Sequence, residues 1–151
     1  MIRKATLNDV KLIHRLVAEQ AQSGHLLARA VSELYSQVRD FLVAIDEQSA
    51  EIIGCGALHI VWEDLAEIRS LAVRTSDQRR GIGSQLIDAL LEEARTMAVK
   101  QVFVLTYRTA LFERFGFEVM DKGRLPHKIW ADCIRCTKFP ECDEIALVRS
   151  P

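Results

Sequence analysis

The stretch from Leu65 to Ala98, LAEIRSLAVRTSDQRRGIGSQLIDALLEEARTMA, constrains the fold more than any other part of the chain. Ile68 to Val73 is an apolar run bounded by polar residues, which predicts a buried strand. A short charged turn leads to Gly81-Ile82-Gly83. Beyond it Leu86, Ile87, Leu90, Leu91, Ala94 and Met97 recur three and four residues apart, the spacing of one buried helix face. A strand, a glycine turn and a helix in that order expose backbone N–H groups at the positive end of a helix dipole. Such an end suits a phosphate-bearing ligand.

The flanking sequence supplies the rest of a sheet. Ile2 to Thr6 reads as an opening strand, and Thr6 or Asn8 is placed to cap a helix with Val10, Ile13, Leu16 and Val17 on one side. Gly24 ends that helix, residues 25–29 form a loop, and Val31, Leu34, Tyr35 and Val38 outline a second helix. Phe41 to Ile45 and Ile52 to Trp62 are strands joined by a polar turn at Asp46 to Ala50. Gly54 and Gly56 in the longer strand mark a bulge or a close backbone approach. After the long helix, Gln101 to Thr106 is a buried strand, Leu111 to Phe115 a short helix stopped by Gly116, and Phe117 to Met120 another strand. Ile145 to Val148 is a last strand, expected at the sheet edge. The order β–α–α–β–β–β–α–β–α–β–β predicts an α/β (α+β) sandwich in a single domain, residues 1–151.

Charge and composition exclude several function classes. The formal net charge of -1 argues against a general nucleic-acid binder, which carries a basic excess. The apolar runs fall far short of the roughly 20 residues that span a membrane, and the N-terminus lacks the apolar core of a signal peptide. A cytoplasmic protein is the expectation. Cys55 lies inside an apolar strand as a small hydrophobe. His127, Cys133, Cys136 and Cys142 could supply four ligands of a tetrahedral zinc site, but their spacing is not that of a standard finger. Reduced thiols serve the same segment equally well, so a metal is not the favoured reading.

In the turn Gln78-Arg79-Arg80-Gly81-Ile82-Gly83-Ser84, the glycines let backbone amides approach phosphate oxygens, and Arg79 and Arg80 add positive charge. A surface turn that merely starts a helix has a similar pattern. It is not the GxGxxG dinucleotide fingerprint, because Leu86 stands where the third glycine belongs. Taken together, AEIRSLAV, QRRGIG, the long helix and Ala110-Leu111-Phe112-Glu113-Arg114-Phe115-Gly116-Phe117 resemble the GCN5-related N-acetyltransferase (GNAT) superfamily. That resemblance implies a mixed, mostly antiparallel sheet of about seven strands with helices on both faces. It also implies acetyl-CoA as co-substrate, with its pyrophosphate on the amides around Arg80 to Ser84. The strand end Leu71, Ala72, Val73 would splay from QVFVLT and offer backbone groups to the pantetheine arm and the thioester carbonyl. Phe112 and Phe115 would pack against the cofactor arm; for Phe115, ordinary core packing explains the residue equally well.

A closer likeness lies in LLARAVSEL, AEIRSLAV, FVLTYRTALFERFGF and Leu125-Pro126, which resemble the acetyltransferase domain of bacterial N-acetylglutamate synthases. The chain looks like a short, stand-alone version, with no room for the amino-acid-kinase domain of the long enzymes. The resemblance implies transfer of the acetyl group to an amino acid, with Arg29 and Arg108 holding the substrate carboxylates and Lys128 as a weaker third candidate. Arginine forks match carboxylates bidentately, which fits a dicarboxylate. Glu67 falls at the position of the general base in several relatives. Phe112 stands where many carry a tyrosine as general acid, so no side-chain acid is assigned. Relatives are commonly dimers, and a homodimer is the expectation here. Acetylation of glutamine, another amine or a protein N-terminus, and a non-catalytic acetyl-CoA sensor, are the alternatives.

Overall fold

The computed structural model describes residues 1–24, 26–125 and 144–151. Seven strands form one sheet in the order β1-β2-β3-β4-β5-β7-β6. They are β1 (Ile2–Lys4), β2 (Phe41–Ile45), β3 (Ile52–Trp62), β4 (Leu65–Val73), β5 (Gln101–Thr106), β6 (Glu118–Met120) and β7 (Ile145–Arg149). Helices α1 (Val10–Gln22) and α2 (Val31–Ser36) cover one face; α3 (Ile82–Thr96) and α4 (Thr109–Glu113) cover the other. β4 and β5 run parallel because α3 crosses over between them, and the other neighbours are antiparallel. This is the GNAT-type α/β arrangement implied by the sequence motifs.

Helix α3 sits under the sheet because its apolar residues share one face. Leu86, Ile87, Leu90 and Leu91 are each at most 2% exposed and pack with Leu58, Ala66, Ile68, Val102 and Val104. Burying four such side chains contributes roughly 6–12 kcal/mol before the ordering entropy is set against it. Gly54 and Gly56 let the helix come this close. A Cβ on Gly54 would lie 3.1 Å from Ile82 Cγ2, and one on Gly56 would lie 3.0 Å from Leu90 Cδ1. The expected close approach is therefore what these glycines provide.

Three expectations need correction. β7 is not an edge strand: Val148 pairs with Phe103 of β5 on one side and Glu118 of β6 on the other, so β6 takes the edge. Met97 does not extend the buried face of α3. It is the residue after the last helical turn and is 54% exposed. On α2 only Leu34 is buried, while Val31 and Tyr35 point outward because the helix ends at Ser36 after six residues. Of the two candidate caps, Thr6 is used, but for the 3-10 turn Leu7–Asp9 that leads into α1, and Asp9 takes the N-cap position of α1 itself. The Thr6 backbone N–H donates to Asp9 Oδ2 at 2.7 Å, and Asp9 N–H returns to the Thr6 carbonyl at 3.0 Å.

Candidate active site

The glycine turn has the local geometry of an anion cradle. Arg79 (φ 70°) and Gly81 (φ 77°) are both left-handed, which turns the chain sharply into α3. The first intrahelical bond runs from Gln85 N–H to the Gly81 carbonyl at 3.0 Å. The amides of Ile82, Gly83 and Ser84 therefore precede the helix ladder. No side chain caps them, and the first turn carries no acidic residue. A Cβ on Gly81 would meet nothing within 4 Å, so the turn is open from outside. These backbone donors and the helix dipole suit a pyrophosphate.

The Arg80 side chain is held by two carboxylates. Arg80 Nη1 donates to Asp77 Oδ1 at 2.6 Å, and its Nη2 lies 3.8 Å from Asp46. Arg74 Nε donates to the other Asp77 oxygen at 2.5 Å and its Nη1 to Glu51 at 2.8 Å. Arg74 and then Arg80 hold the Asp77 carboxyl below the ordinary carboxylate range. Arg80 thus braces the approach to the turn through a buried carboxylate. Gln78 also braces: its Nε2 donates to the Val73 carbonyl at 3.4 Å, which buried Gln20 on α1 also reaches, at 3.2 Å.

Beside the turn the sheet opens. β4 and β5 pair only at Leu65–Gln101, Ala66–Val102 and Glu67–Phe103. Beyond Glu67 the ladder stops and β4 continues alone along β3, with Leu71, Ala72 and Val73 bordering the gap. A bulge sets the direction of that strand. Two steps on β3 (Cys55 to Ala57) are matched by three on β4 (Ala72 back to Arg69), and Ser70 is left-handed at φ 56°. That conformation costs a serine about 1–3 kcal/mol. Its effect is to put Ala72 on the same face as Arg69 and to send Leu71 to the α3 face.

Glu67 lies at the vertex of this opening, on the last shared rung. It is buried, and its Oε1 lies 3.7 Å from Arg69 Nη1. Arg69 is 8% exposed and also donates from Nη2 to Gln37 Oε1 at 2.9 Å. Glu67 thus stands at the closed end of the strand gap, and the glycine turn follows the far end of β4 beyond Val73.

Over residues 12–117 the sequence matches the Acetyltransferase (GNAT) family. The chain belongs to that family.

The GNAT chain is 38% identical over 149 residues to an uncharacterized N-acetyltransferase of Chlorobaculum tepidum, covering 99% of this chain and 95% of that one. It is 41% identical over 136 residues to an amino-acid acetyltransferase of Mycobacterium tuberculosis, covering 89% and 78%. Among solved structures, the N-acetylglutamate synthase of Neisseria gonorrhoeae complexed with coenzyme A and N-acetyl-glutamate superposes with a TM-score of 0.88 at 26% identity. That match covers 99% of this chain and 34% of that one. The protein is an acyltransferase enzyme.

The other site residues fall unevenly in this acetyltransferase. Phe112 is 3% exposed and stacks edge-on against Phe117 at 5.4 Å, so little of its ring is left to meet a ligand. Phe115 is half-buried at the end of α4. Arg108 is exposed at the start of α4, and its N–H donates to Thr106 Oγ1 at 2.8 Å. Arg29 stands before α2 with its side chain 13% exposed and a carboxylate oxygen of Glu33 at 3.7 Å. Lys128 and the His127, Cys133, Cys136, Cys142 group lie outside the described residues. Cys55 is fully buried and its thiol is pushed up to about 12 by burial, which leaves it without nucleophilic character.

Sequence reasoning missed His59. It sits on β3 directly across from Glu67, with Nδ1 2.8 Å from Asp40 Oδ2. The signal was present: strict alternation over Ala57, His59 and Val61 puts one face of β3 toward α1, and the Glu63–Asp64 turn folds β4 back alongside.

Proposed function

We propose that this acetyltransferase moves the acetyl group of acetyl-CoA directly to the α-amino group of L-glutamate, the first step of arginine biosynthesis. The observation that carries the chemistry is the position of Glu67, a buried carboxylate at the vertex where β4 and β5 part. The amino-acid acceptor is supported by the relatives named amino-acid acetyltransferase and by the N-acetyl-glutamate complex of the Neisseria synthase.

The chain's own groups divide the work. Backbone amides from Arg79 through Ser84 hold the pyrophosphate, with Gln78 bracing the strand end next to them. The free edge of Leu71 to Val73 orients the pantetheine amides and the thioester carbonyl. Phe115, and whatever edge of Phe112 is left accessible, line the arm. Arg29 and Arg108 take the two substrate carboxylates. Glu67 accepts a proton from the α-ammonium group, directly or through one water. The amine nitrogen then forms the bond to the acetyl carbon as the C–S bond breaks, and the departing thiolate takes up the proton released from nitrogen. No side chain is acylated on the way.

Release of free thiol from acetyl-CoA, measured against all twenty amino acids, tests this reading. Glutamate is expected to exceed every other amino acid in kcat/KM by about tenfold or more, because most of the others leave one arginine without its carboxylate. A different amino acid in first place would remove the glutamate assignment. Absence of turnover with all twenty would remove the amino-acid reading.

A further inference from the structure

Three side chains stand in a row across the face of the sheet that carries α1 and α2. Asp40 ends the turn Val38–Asp40 before β2, His59 is on β3, and Glu67 is on β4. Asp40 Oδ2 lies 2.8 Å from His59 Nδ1, and His59 and Glu67 are cross-strand partners. Directly opposed residues on one sheet face bring their Cβ atoms to about 4.5–5.5 Å, within reach of one water or of direct contact between long side chains. A carboxylate only accepts, so the proton of neutral His59 is on Nδ1. Its Nε2 then carries the lone pair. Among the described residues, Arg69 also lies on this part of the face, beside Glu67 on β4.

Glu67 has a difficulty that its surroundings define. It is buried, lies 3.7 Å from the Arg69 guanidinium, and is positioned at the end of a gap that the reactants fill. A proton taken there has to leave in every turnover. His59 faces Glu67 across the rung, and its side chain is 30% exposed, so it is in contact with solvent while Glu67 is buried. We propose that His59, oriented by Asp40, is a positioning and relay residue that carries the proton from Glu67 to solvent. This rests on Glu67 being the base. The balance is simple. The substrate N–H bond breaks and an O–H bond forms on Glu67. That bond breaks as an N–H bond forms at His59 Nε2, and Asp40 stabilises the imidazolium through Nδ1–H. The imidazolium then returns its proton to bulk water, so the net change is an ammonium converted to an amine and one proton released.

The test is the pH profile of thiol release with the preferred amino acid for the parent, His59→Gln, Asp40→Asn and Glu67→Gln, each checked for parent-like circular dichroism. His59→Gln is expected to lower kcat about 10- to 100-fold at pH 7 with the amino-acid KM changed less than about threefold. The deficit should shrink to about threefold or less by pH 9.5, where the free amine is abundant and the relay is dispensable. Asp40→Asn, which keeps the imidazole but loses its orienting acceptor, should show the same pH-dependent deficit, and it serves if His59→Gln does not fold. A deficit that is constant with pH marks a structural role and overturns the relay, as do profiles within twofold of the parent. If Glu67→Gln is impaired while His59→Gln and Asp40→Asn are not, the relay fails and the base stands. If Glu67→Gln matches the parent, both fail.

Discussion

Arg108 starts from a fixed point. Its N–H donates to buried Thr106 Oγ1 at the end of β5, which anchors its backbone at the junction of β5 and α4. Charge-assisted bonds to a carboxylate are worth about 1.5–3 kcal/mol. Arg108→Ala is therefore expected to raise the KM for the amino acid about 10- to 100-fold while leaving that for acetyl-CoA within about threefold. Equal increases in both would show that the residue shapes the fold of the site rather than holding a carboxylate. Arg108, Arg29 and Glu67 could be singled out from the sequence because they sit in or beside recognisable motifs. Arg80 shows the limit of that method. Its side chain turns back onto Asp77, and whether an arginine beside a phosphate turn faces out or in depends on a carboxylate three residues earlier. His59 shows the opposite limit, a residue outside every motif that strand register brings to Glu67 and the turn before β2 brings to Asp40.

At the scale of elements, α3 and β3 approach through two missing Cβ atoms. Adding one at Gly54 places it 3.2 Å from Leu86 Cδ1 and 3.3 Å from the Ala72 carbonyl oxygen, and the latter belongs to backbone that cannot rotate away. Overpacking of this kind costs about 1–3 kcal/mol. For a domain of this size, Gly54→Ala is expected to lower Tm by about 3–10 °C in calorimetry; a loss under 1 °C would show that α3 moves freely. The order of elements was legible because each long apolar run has a clear period of two or of three to four. The place of β7 was not legible. A five-residue strand far along the chain pairs wherever two edges are left open, and only the assembled sheet shows that β5 and β6 leave a slot between them. The bulge at Ser70 was equally hidden, since nothing in AEIRSLAV distinguishes a straight strand from one that slips by a residue.

For the whole molecule, two buried carboxylates tie distant segments together. Asp9 receives both Arg3 guanidinium nitrogens, at 2.7 and 3.1 Å, and joins β1 to α1. Asp77 joins the turn before α3 to Arg74 at the end of β4. The Arg3 bond foremost lowers Asp9, and the Arg74 bond foremost lowers Asp77. A carboxylate whose folded pKa is depressed contributes fully above its unfolded value of about 3.9 and loses that contribution as pH falls through the folded one. The urea midpoint is thus expected to be steady near neutrality and to fall once the pH drops below about 4. Asp9→Asn should start from a lower midpoint and fall less steeply; an unchanged slope would remove Asp9 from the acid transition.

The three rungs shared by β4 and β5 have one more consequence. Strands β1 to β4 and strands β5 to β7 are in effect two leaves bound along a short spine at one end, and the reading margin between them is a slit. A slit selects by outline. A long, flat arm with polar groups spaced along it can lie between the leaves and present its tip at the spine, beside Glu67. A compact acyl donor of equal reactivity has nothing with which to span the slit, so the tip it carries arrives without an address.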